Sequence, residues 1–139
     1  MKVSDVMTAQ VVTAQPGDSV HKVARLMAEI DSGVIPVVED GKVVGLVTDR
    51  DIVLRIVAER GDLDAAVSTI MSGDVQGCQE DDSLADATGK MASHQVRRLV
   101  VYNEAKRLVG ILSLGDVAGD YGPKQVGKTL EEISQDTQH

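Results

Sequence analysis

The chain has 139 residues, 42% of them hydrophobic and 26% charged, with a net charge of −8 and a single cysteine. This composition is typical of a globular protein with one domain or two very small ones. The negative charge argues against a nucleic-acid ligand and against an anionic membrane surface. The lone Cys78 excludes an internal disulfide. We recognise no signal peptide, and no apolar run approaches the length of ~20 residues that a membrane span requires. We therefore expect a cytoplasmic protein.

The two halves of the chain repeat one pattern. A shift of 64 positions places Asp18-Ser19 on Asp82-Ser83, and the shift becomes 65 beyond a polar turn. Loops tolerate such one-residue insertions. The predicted segments are a first repeat, 1–64, a second repeat, 65–122, and a C-terminal tail, 123–139.

Each repeat predicts the order strand, helix, strand, strand, helix. Ser19 and Ser83 are good N-cap residues, and apolar residues follow them with helical spacing. The β-rich runs VIPVVE and KVVGLVT are separated by Asp40-Gly41, which indicates a hairpin, and the second repeat has a looser polar turn at this place. The pattern then becomes helical again. The fold class predicted is α/β, in the α+β sense.

One short motif occurs in both repeats, as GLVTDRDIV at 45–53 and GILSLGDVA at 110–118. Each copy places a hydroxyl at the end of a strand and an aspartate in the first turn of the next helix. A helix N-terminus and a hydroxyl suit an anion, and a carboxylate one turn later suits the diol of a ribose. The same residue types also cap helices, and duplication copies a cap as readily as a ligand site. Both interpretations stay open.

Longer stretches carry a more specific resemblance. VSDVMT, PGDSV and IPVVEDGKVVGLVTDRDIV, followed by VSTIMS, EDDSL and HQVRRLVVYNEAKRLVGILSLGDV, resemble a tandem pair of CBS domains over about residues 3–120. The chain is most similar to small stand-alone bacterial proteins of this family. The resemblance implies two pseudo-two-fold-related β-α-β-β-α repeats packed as one module. It also implies two clefts between the repeats, which in many relatives bind AMP, ADP, ATP, NAD or S-adenosylmethionine.

The resemblance assigns residues to an unequal pair of clefts. In the first, Ser113 and Asp116 would hold phosphate and ribose, and Arg97 and Arg98 would neutralise phosphate charge. The residues that would enclose the adenine are Thr8, Val11, Gly33 and Val34. The residues of the second, weaker cleft are Thr48, Arg50, Asp51, Ser72 and Val75. Adjacent arginines in an acidic protein are also common as surface ion-pair partners, and this alternative stays open.

The first repeat lacks the arginine pair of the second. It has Gly33-Val34 where the second repeat has Arg97-Arg98, so its own strand brings no cation. Arg50 could compensate, or Arg97 and Arg98 could do so by reaching across the pseudo-two-fold that the resemblance implies. We expect the cleft of Ser113 and Asp116 to be the better nucleotide site.

Other motifs are given structural interpretations. GPKQVGKT, at 122–129, matches the phosphate-loop pattern but follows no buried strand, so we interpret it as part of the tail. The histidines and Cys78 share no metal-ligand spacing, so we expect no metal site, and a packed, inert thiol at Cys78. The carboxylates of Asp49 and Asp51 are explained by capping and solvation. No catalytic constellation is present, and we expect neither an enzyme nor a required cofactor.

The helical run IVLRIV, at 52–57, is apolar over more than the ~100° stripe that one core needs. A second subunit is the simple cover for it, and homodimers formed through these helices are common in the family that the chain resembles. We expect a regulatory module that binds an adenine nucleotide and relays the signal to an unidentified downstream protein. The alternative is a structural or stress-associated homodimer with vestigial clefts.

Overall fold

The computed structural model describes residues 1–9 and 12–120. The helices are α1 (Val20–Ile30), α2 (Asp49–Ile52), α3 (Leu84–His94) and α4 (Leu114–Asp120), and a π-helical turn, Val53–Val57, continues α2. The strands are β1 (Thr8–Ala9), β2 (Val34–Glu39), β3 (Lys42–Thr48), β4 (Gly77–Gln79), β5 (Arg98–Tyr102) and β6 (Leu108–Ser113). Two 3₁₀ turns lie at Val3–Asp5 and Val67–Thr69. Within the described ranges, none of the helices has the length and hydropathy that crossing a bilayer would require.

The predicted helix starts and the predicted hairpin are confirmed. The Ser19 hydroxyl accepts a hydrogen bond from the N–H of Lys22 at 3.0 Å, and Ser83 does the same for Asp86 at 3.1 Å. Asp40 and Gly41 join β2 to β3 with φ values of 52° and 77°. Two successive left-handed residues match the right-handed twist of the flanking strands, which explains the Asp-Gly pair.

The chain forms two compact units, and each unit contains segments of both sequence repeats. Among the described residues, one unit comprises 1–9 and 76–120, and we call it the Ser113 unit. The other comprises residues 12–75, and we call it the Thr48 unit. The opening segment of each repeat therefore belongs to the unit that holds the helices and hairpin of the other repeat.

In the Ser113 unit, four strands form one sheet in the order β1-β6-β5-β4. The pairs β1–β6 and β5–β6 are antiparallel, and β4 runs parallel to β5. The opening segment is also anchored ahead of α3, where Val3 N–H donates to the Asp82 carbonyl at 2.9 Å. The buried core comprises Val3, Cys78, Leu84, Ala87, Met91, Leu99, Val101, Leu112, Leu114 and Val117.

The Thr48 unit repeats this arrangement with shorter outer pairings. The antiparallel β2–β3 hairpin is flanked by a parallel bridge between Ala14 and Val37 and an antiparallel bridge between Leu46 and Ser72. Val67 N–H donates to the Asp18 carbonyl at 2.8 Å, as Val3 does to Asp82. The buried core comprises Ala14, Val20, Val23, Met27, Ile35, Val37, Val47, Ile52, Ile56, Val67 and Ile70.

Candidate functional site

The repeated motif of the Ser113 unit lies at the junction of β6 and α4. The Ser113 hydroxyl accepts a hydrogen bond from the Asp116 N–H at 3.0 Å, and Asp116 Oδ2 accepts one from the Ser113 N–H at 3.1 Å. This reciprocal pair is a capping box, which satisfies two backbone donors at the start of the helix. The capping interpretation of the motif is therefore correct for the local structure.

The Asp116 carboxylate also contacts the opening segment of the chain. β1 pairs with β6 so that Thr8 lies opposite Ile111, and the Thr8 hydroxyl donates to Asp116 Oδ2 over 3.5 Å. Thr8 and the Ser113 N–H thus share one carboxylate oxygen. The other oxygen, Oδ1, accepts no hydrogen bond from the part of the chain that the structure describes. The cap thus leaves half of a partly buried carboxylate available.

The two arginines lie beside this capping box. Arg98 is the first residue of β5 and pairs directly with Ser113, so both side chains project from the same face of the sheet. The carbonyl of Arg97 accepts a hydrogen bond from the N–H of Leu114, the first residue of α4, at 2.9 Å. Both arginines are exposed, and neither forms an ion pair with any described residue. Surface ion pairing therefore does not account for them within residues 1–9 and 12–120.

The Thr48 unit contains a second capping box with different surroundings. The Thr48 hydroxyl accepts from the Asp51 N–H at 3.2 Å, and Asp51 Oδ2 accepts from the Thr48 N–H at 2.9 Å. The second oxygen of Asp51, Oδ1, lies 4.0 Å from Nε of Arg55. Ser72 is held near this motif by two backbone hydrogen bonds with Leu46, at 2.9 and 3.0 Å.

In the Thr48 unit, Gly33 corresponds to Arg97, and the carboxylate of Asp49 lies where a side chain of residue 33 would begin. Val34 pairs with Thr48, and the Gly33 carbonyl accepts from the Asp49 N–H at 2.9 Å, as Arg97 does from Leu114. A Cβ built on Gly33 would lie 2.9 Å from Asp49 Oδ2. The sequence interpretation of Asp49 as mere capping chemistry missed this placement, since only the backbone hydrogen bond brings the two residues together.

The structure thus divides the residues predicted for the two clefts. The Ser113 unit contains Thr8, Arg97, Arg98, Ser113 and Asp116, and we call these the Ser113 site. The Thr48 unit contains Gly33, Val34, Thr48, Arg50, Asp51, Ser72 and Val75, and we call these, with Asp49, the Thr48 site. Gly33 and Val34, which the resemblance groups with Ser113, thus belong to the other unit, and their role against adenine stays a prediction. Val11 and the tail lie outside the described residues.

The glycine of each motif has a packing role that sequence analysis missed. A Cβ on Gly110 would lie 2.7 Å from the Thr8 carbonyl oxygen and 2.9 Å from Sδ of Met7. A Cβ on Gly45 would lie 2.5 Å from Sδ of Met71, and the nearest backbone atom, the Ser72 carbonyl oxygen, is 3.0 Å away. Each glycine therefore lets an opening segment, with its hydroxyl residue, lie across the strand that ends in the capping box.

Cys78 is placed as a packed side chain of the Ser113 unit core. Burial raises the pKa of its thiol to about 11, with a further contribution from the charge of Asp82, and Lys90 opposes the shift. Among the described residues, no three His, Cys, Asp or Glu side chains come together as metal ligands would.

Two strand-to-helix capping boxes, each with an opening segment docked against its glycine, define a duplicated α/β module. The chain matches the CBS domain family twice, at residues 3–58 and 67–121. It belongs to this family and carries a tandem CBS pair, as the sequence resemblance predicted.

Relatives cover almost the whole chain. The CBS domain-containing protein YhcV of Bacillus subtilis is 41% identical over 138 residues, which is 99% of this chain and 98% of that protein. The CBS domain pair of protein MJ0100, solved in complex with 5′-methylthioadenosine and S-adenosyl-L-methionine, is 25% identical with a TM-score of 0.73, over 89% of this chain and 98% of that chain. Hypoxic Response Protein I, solved with two coordinated zinc ions, is 30% identical with a TM-score of 0.70, over 86% of this chain and 98% of that chain.

Proposed function

We propose that this CBS pair is a regulatory module that binds an adenine nucleotide at the Ser113 site and, more weakly, an adenosine compound at the Thr48 site. The observation that supports the proposal is a set of charged groups beside the Ser113 capping box that have no partner among the described residues. Arg97 and Arg98 have no ion-pair partner among the described residues of an acidic chain, and Asp116 Oδ1 accepts no hydrogen bond there. The complex of the MJ0100 pair with two adenosine compounds supports this choice of ligand class.

The polar groups of the Ser113 site suit the parts of a nucleotide. Asp116 Oδ1 can accept a hydrogen bond from a ribose hydroxyl, and the arginines can pair with phosphate oxygens in a bidentate manner. AMP, ADP, ATP and NAD all offer these groups. The protein then acts by binding rather than by catalysis, and any signal to a downstream protein is limited by the difference in affinity between its two conformational states.

Thermal unfolding with nucleotides tests the proposal. A ligand at 100 times its dissociation constant adds about 2.7 kcal/mol, which corresponds to several degrees in a chain of this size. We expect a rise in the unfolding midpoint with at least one of AMP, ADP, ATP or NAD, and recovery of that nucleotide unchanged. Asp116→Asn should abolish the rise, because asparagine keeps the oxygen that caps Ser113 and replaces the second acceptor with a donor. The matched control, Asp51→Asn, makes the same change in the Thr48 unit and should preserve the response.

The alternative, a structural homodimer with vestigial sites, is favoured by one observation. Both reciprocal hydrogen bonds of each capping box form without a ligand, so helix capping alone is enough to explain the two motifs. If no adenosine compound shifts the unfolding midpoint, and Asp116→Asn and Asp51→Asn alter stability by similar amounts, this alternative replaces the first proposal.

We also propose that the protein is a cytoplasmic homodimer formed through the apolar surface that continues α2. Ile52 and Ile56 are buried in the core, while Val53, Leu54 and Val57 are 54%, 47% and 64% exposed. An apolar surface on a two-fold axis is self-complementary, so a second copy of the chain covers it with itself. Leu54→Glu should shift the species seen by sedimentation velocity from dimer to monomer. Leu63→Glu, an equal change at an exposed loop leucine, should leave it a dimer.

A further inference from the structure

The two sites differ in charge at the two residues that one equivalent backbone hydrogen bond joins. In the Ser113 unit the residue that accepts the first N–H of the helix is Arg97, and that helix residue, Leu114, is buried in the core. In the Thr48 unit the accepting residue is Gly33 and the helix residue is Asp49, whose side chain is exposed. This backbone hydrogen bond is 2.9 Å long in both units. In the Ser113 unit it joins a cationic residue to an apolar one, and in the Thr48 unit it joins a glycine to an anionic residue.

The Asp49 carboxylate has a backbone hydrogen-bond partner and lies beside Gly33. Its Oδ1 accepts a hydrogen bond from the Arg50 N–H at 2.8 Å. Its Oδ2 lies where a side chain on residue 33 would begin, 2.9 Å from the position of a Cβ there. Gly33 has no side chain, so the Asp49 carboxylate can lie beside its Cα. In the Ser113 unit the corresponding space is where the side chain of Arg97 begins.

The two arginines of the helical segment that Asp49 begins, Arg50 and Arg55, do not reverse this charge. Arg55 lies 4.0 Å from the other acid of the motif, Asp51. Arg50 is exposed, and successive residues of a helix point about 100° apart, so its side chain leaves the helix away from that of Asp49. A phosphate group at this position would therefore meet the negative charge of Asp49, while Thr48, Asp51 and Ser72 keep the groups that suit a ribose.

We propose that Asp49 is a specificity-determining residue that makes the Thr48 site reject phosphorylated ligands. The site takes a nucleoside without a 5′ phosphate, either neutral or cationic, while the Ser113 site takes the anionic nucleotide. This inference rests on the proposed function. A like charge at short range lowers affinity, and partial exposure to solvent and salt limits the effect to about threefold to tenfold in the dissociation constant.

Calorimetric titration with adenosine and with AMP tests the inference at the Thr48 site alone, in a chain whose Ser113 site is removed by Asp116→Ala. The quantity measured is the ratio of the AMP dissociation constant to that of adenosine. We expect a ratio above one, which Asp49→Asn lowers by about threefold to tenfold. Gly33→Arg, which introduces the cation found at the equivalent position of the other unit and displaces the Asp49 carboxylate, should lower the ratio as well. The control Glu39→Gln removes an equal charge at the far end of β2 and should leave the ratio as it was.

Two results would overturn the inference while the proposed function stands. One is AMP binding at least as tightly as adenosine in the Asp116→Ala chain, above all if Arg50→Gln then weakens it. The other is a ratio that Asp49→Asn and Gly33→Arg both leave unchanged. If neither adenosine nor AMP binds the chain with both sites intact, the proposed function fails, and this inference fails with it.

Discussion

The Ser113 unit and the Thr48 unit have closely matching backbone hydrogen bonds, but the side chains at the matching positions differ. Both have a reciprocal capping box after a strand, an opening segment docked against a glycine, and a helix capped by serine. At the edge of the capping box the Ser113 unit has Arg97 and Arg98, and the Thr48 unit has Gly33 and Val34 with Asp49. The two units thus share one backbone arrangement, and the charge beside the capping box is positive in the Ser113 unit and negative in the Thr48 unit.

The difference separates structural from ligand-directed roles in the motif. Residues present in both units, such as Thr48 and Ser113, meet the same backbone donors and need no ligand to explain them. The side chains present in one unit only are not explained in this way. Arg97, for example, has no ion-pair partner among the described residues, and its counterpart in the Thr48 unit is a glycine. The strongest argument for a ligand therefore comes from the positions where the two units disagree.

The largest effect in the comparison concerns the motif glycines. Gly110→Ala places a Cβ 2.7 Å from the Thr8 carbonyl oxygen, a backbone atom that moves only with the whole opening segment. We expect the free energy of unfolding to fall by about 1–3 kcal/mol, measured by urea denaturation followed by circular dichroism. Gly45→Ala should cost less, because its nearest neighbour is the flexible thioether of Met71.

A third glycine serves as the control for this pair. Gly89 lies inside α3, and a Cβ added there would meet nothing within 4 Å, so Gly89→Ala should stabilise the protein by about 0.5–1 kcal/mol through helix propensity. Equal losses for Gly110→Ala and Gly45→Ala would contradict the distinction between backbone and side-chain neighbours. If neither Gly110→Ala nor Gly45→Ala lowers the free energy of unfolding, the opening segments can move away from the added methyl group without loss of stability.

A smaller effect is expected ahead of the first helix of each repeat. Asp18 accepts the Gln15 N–H at 2.8 Å and pairs with Lys22 at 3.2 Å, whereas Asp82 accepts the Gln79 N–H at 2.9 Å. Residue 86, which corresponds to Lys22, is an aspartate. Asp18→Ala should therefore lower the free energy of unfolding by about 1–2 kcal/mol, and Asp82→Ala by less.

The pH dependence checks the cause of this difference. The hydrogen bond from the Gln15 backbone lowers the pKa of Asp18 below its ordinary 3.8, and Lys22 lowers it further against an opposing effect of burial. A lowered pKa in the folded state gives stability that is complete above the ordinary pKa and is lost as the pH falls through the folded value. The stability difference between Asp18→Ala and the unaltered chain should thus be full at neutral pH and shrink in strong acid. A difference that stays constant into strong acid would assign the effect to packing instead.

Local features of this fold could be predicted from the sequence because they depend on neighbouring residues. Ser19 and Ser83 cap the helices that follow them, and Asp40-Gly41 supplies the two left-handed residues of a hairpin turn. The apolar excess after α2 also follows from helical spacing alone, although the π-helical turn that carries it was not predicted.

Features that depend on distant parts of the chain could not be predicted. β1 has two residues, and its pairing with β6 joins Thr8 to Ile111 across most of the sequence. A strand was predicted at the start of each repeat, but no local pattern shows that a two-residue strand pairs with β6 of the other repeat, so the exchange of the opening segments was not predicted. The contact of Asp49 with Gly33 was missed for the same reason, because a backbone hydrogen bond between separate segments creates it.

The smallest effect concerns Cys78, whose counterpart in the Thr48 unit is the buried Ala14. With a pKa of about 11, only about a thousandth of the thiol is ionised at pH 8, so the folded protein should react slowly with an aromatic disulfide reagent. Asp82→Asn removes a charge that raises this pKa and keeps the oxygen that accepts the Gln79 N–H, so labelling should accelerate severalfold. Lys90→Gln removes the opposing charge and should slow it. If both variants label at the rate of the unaltered chain, opening of the core, rather than ionisation of the thiol, controls the reaction.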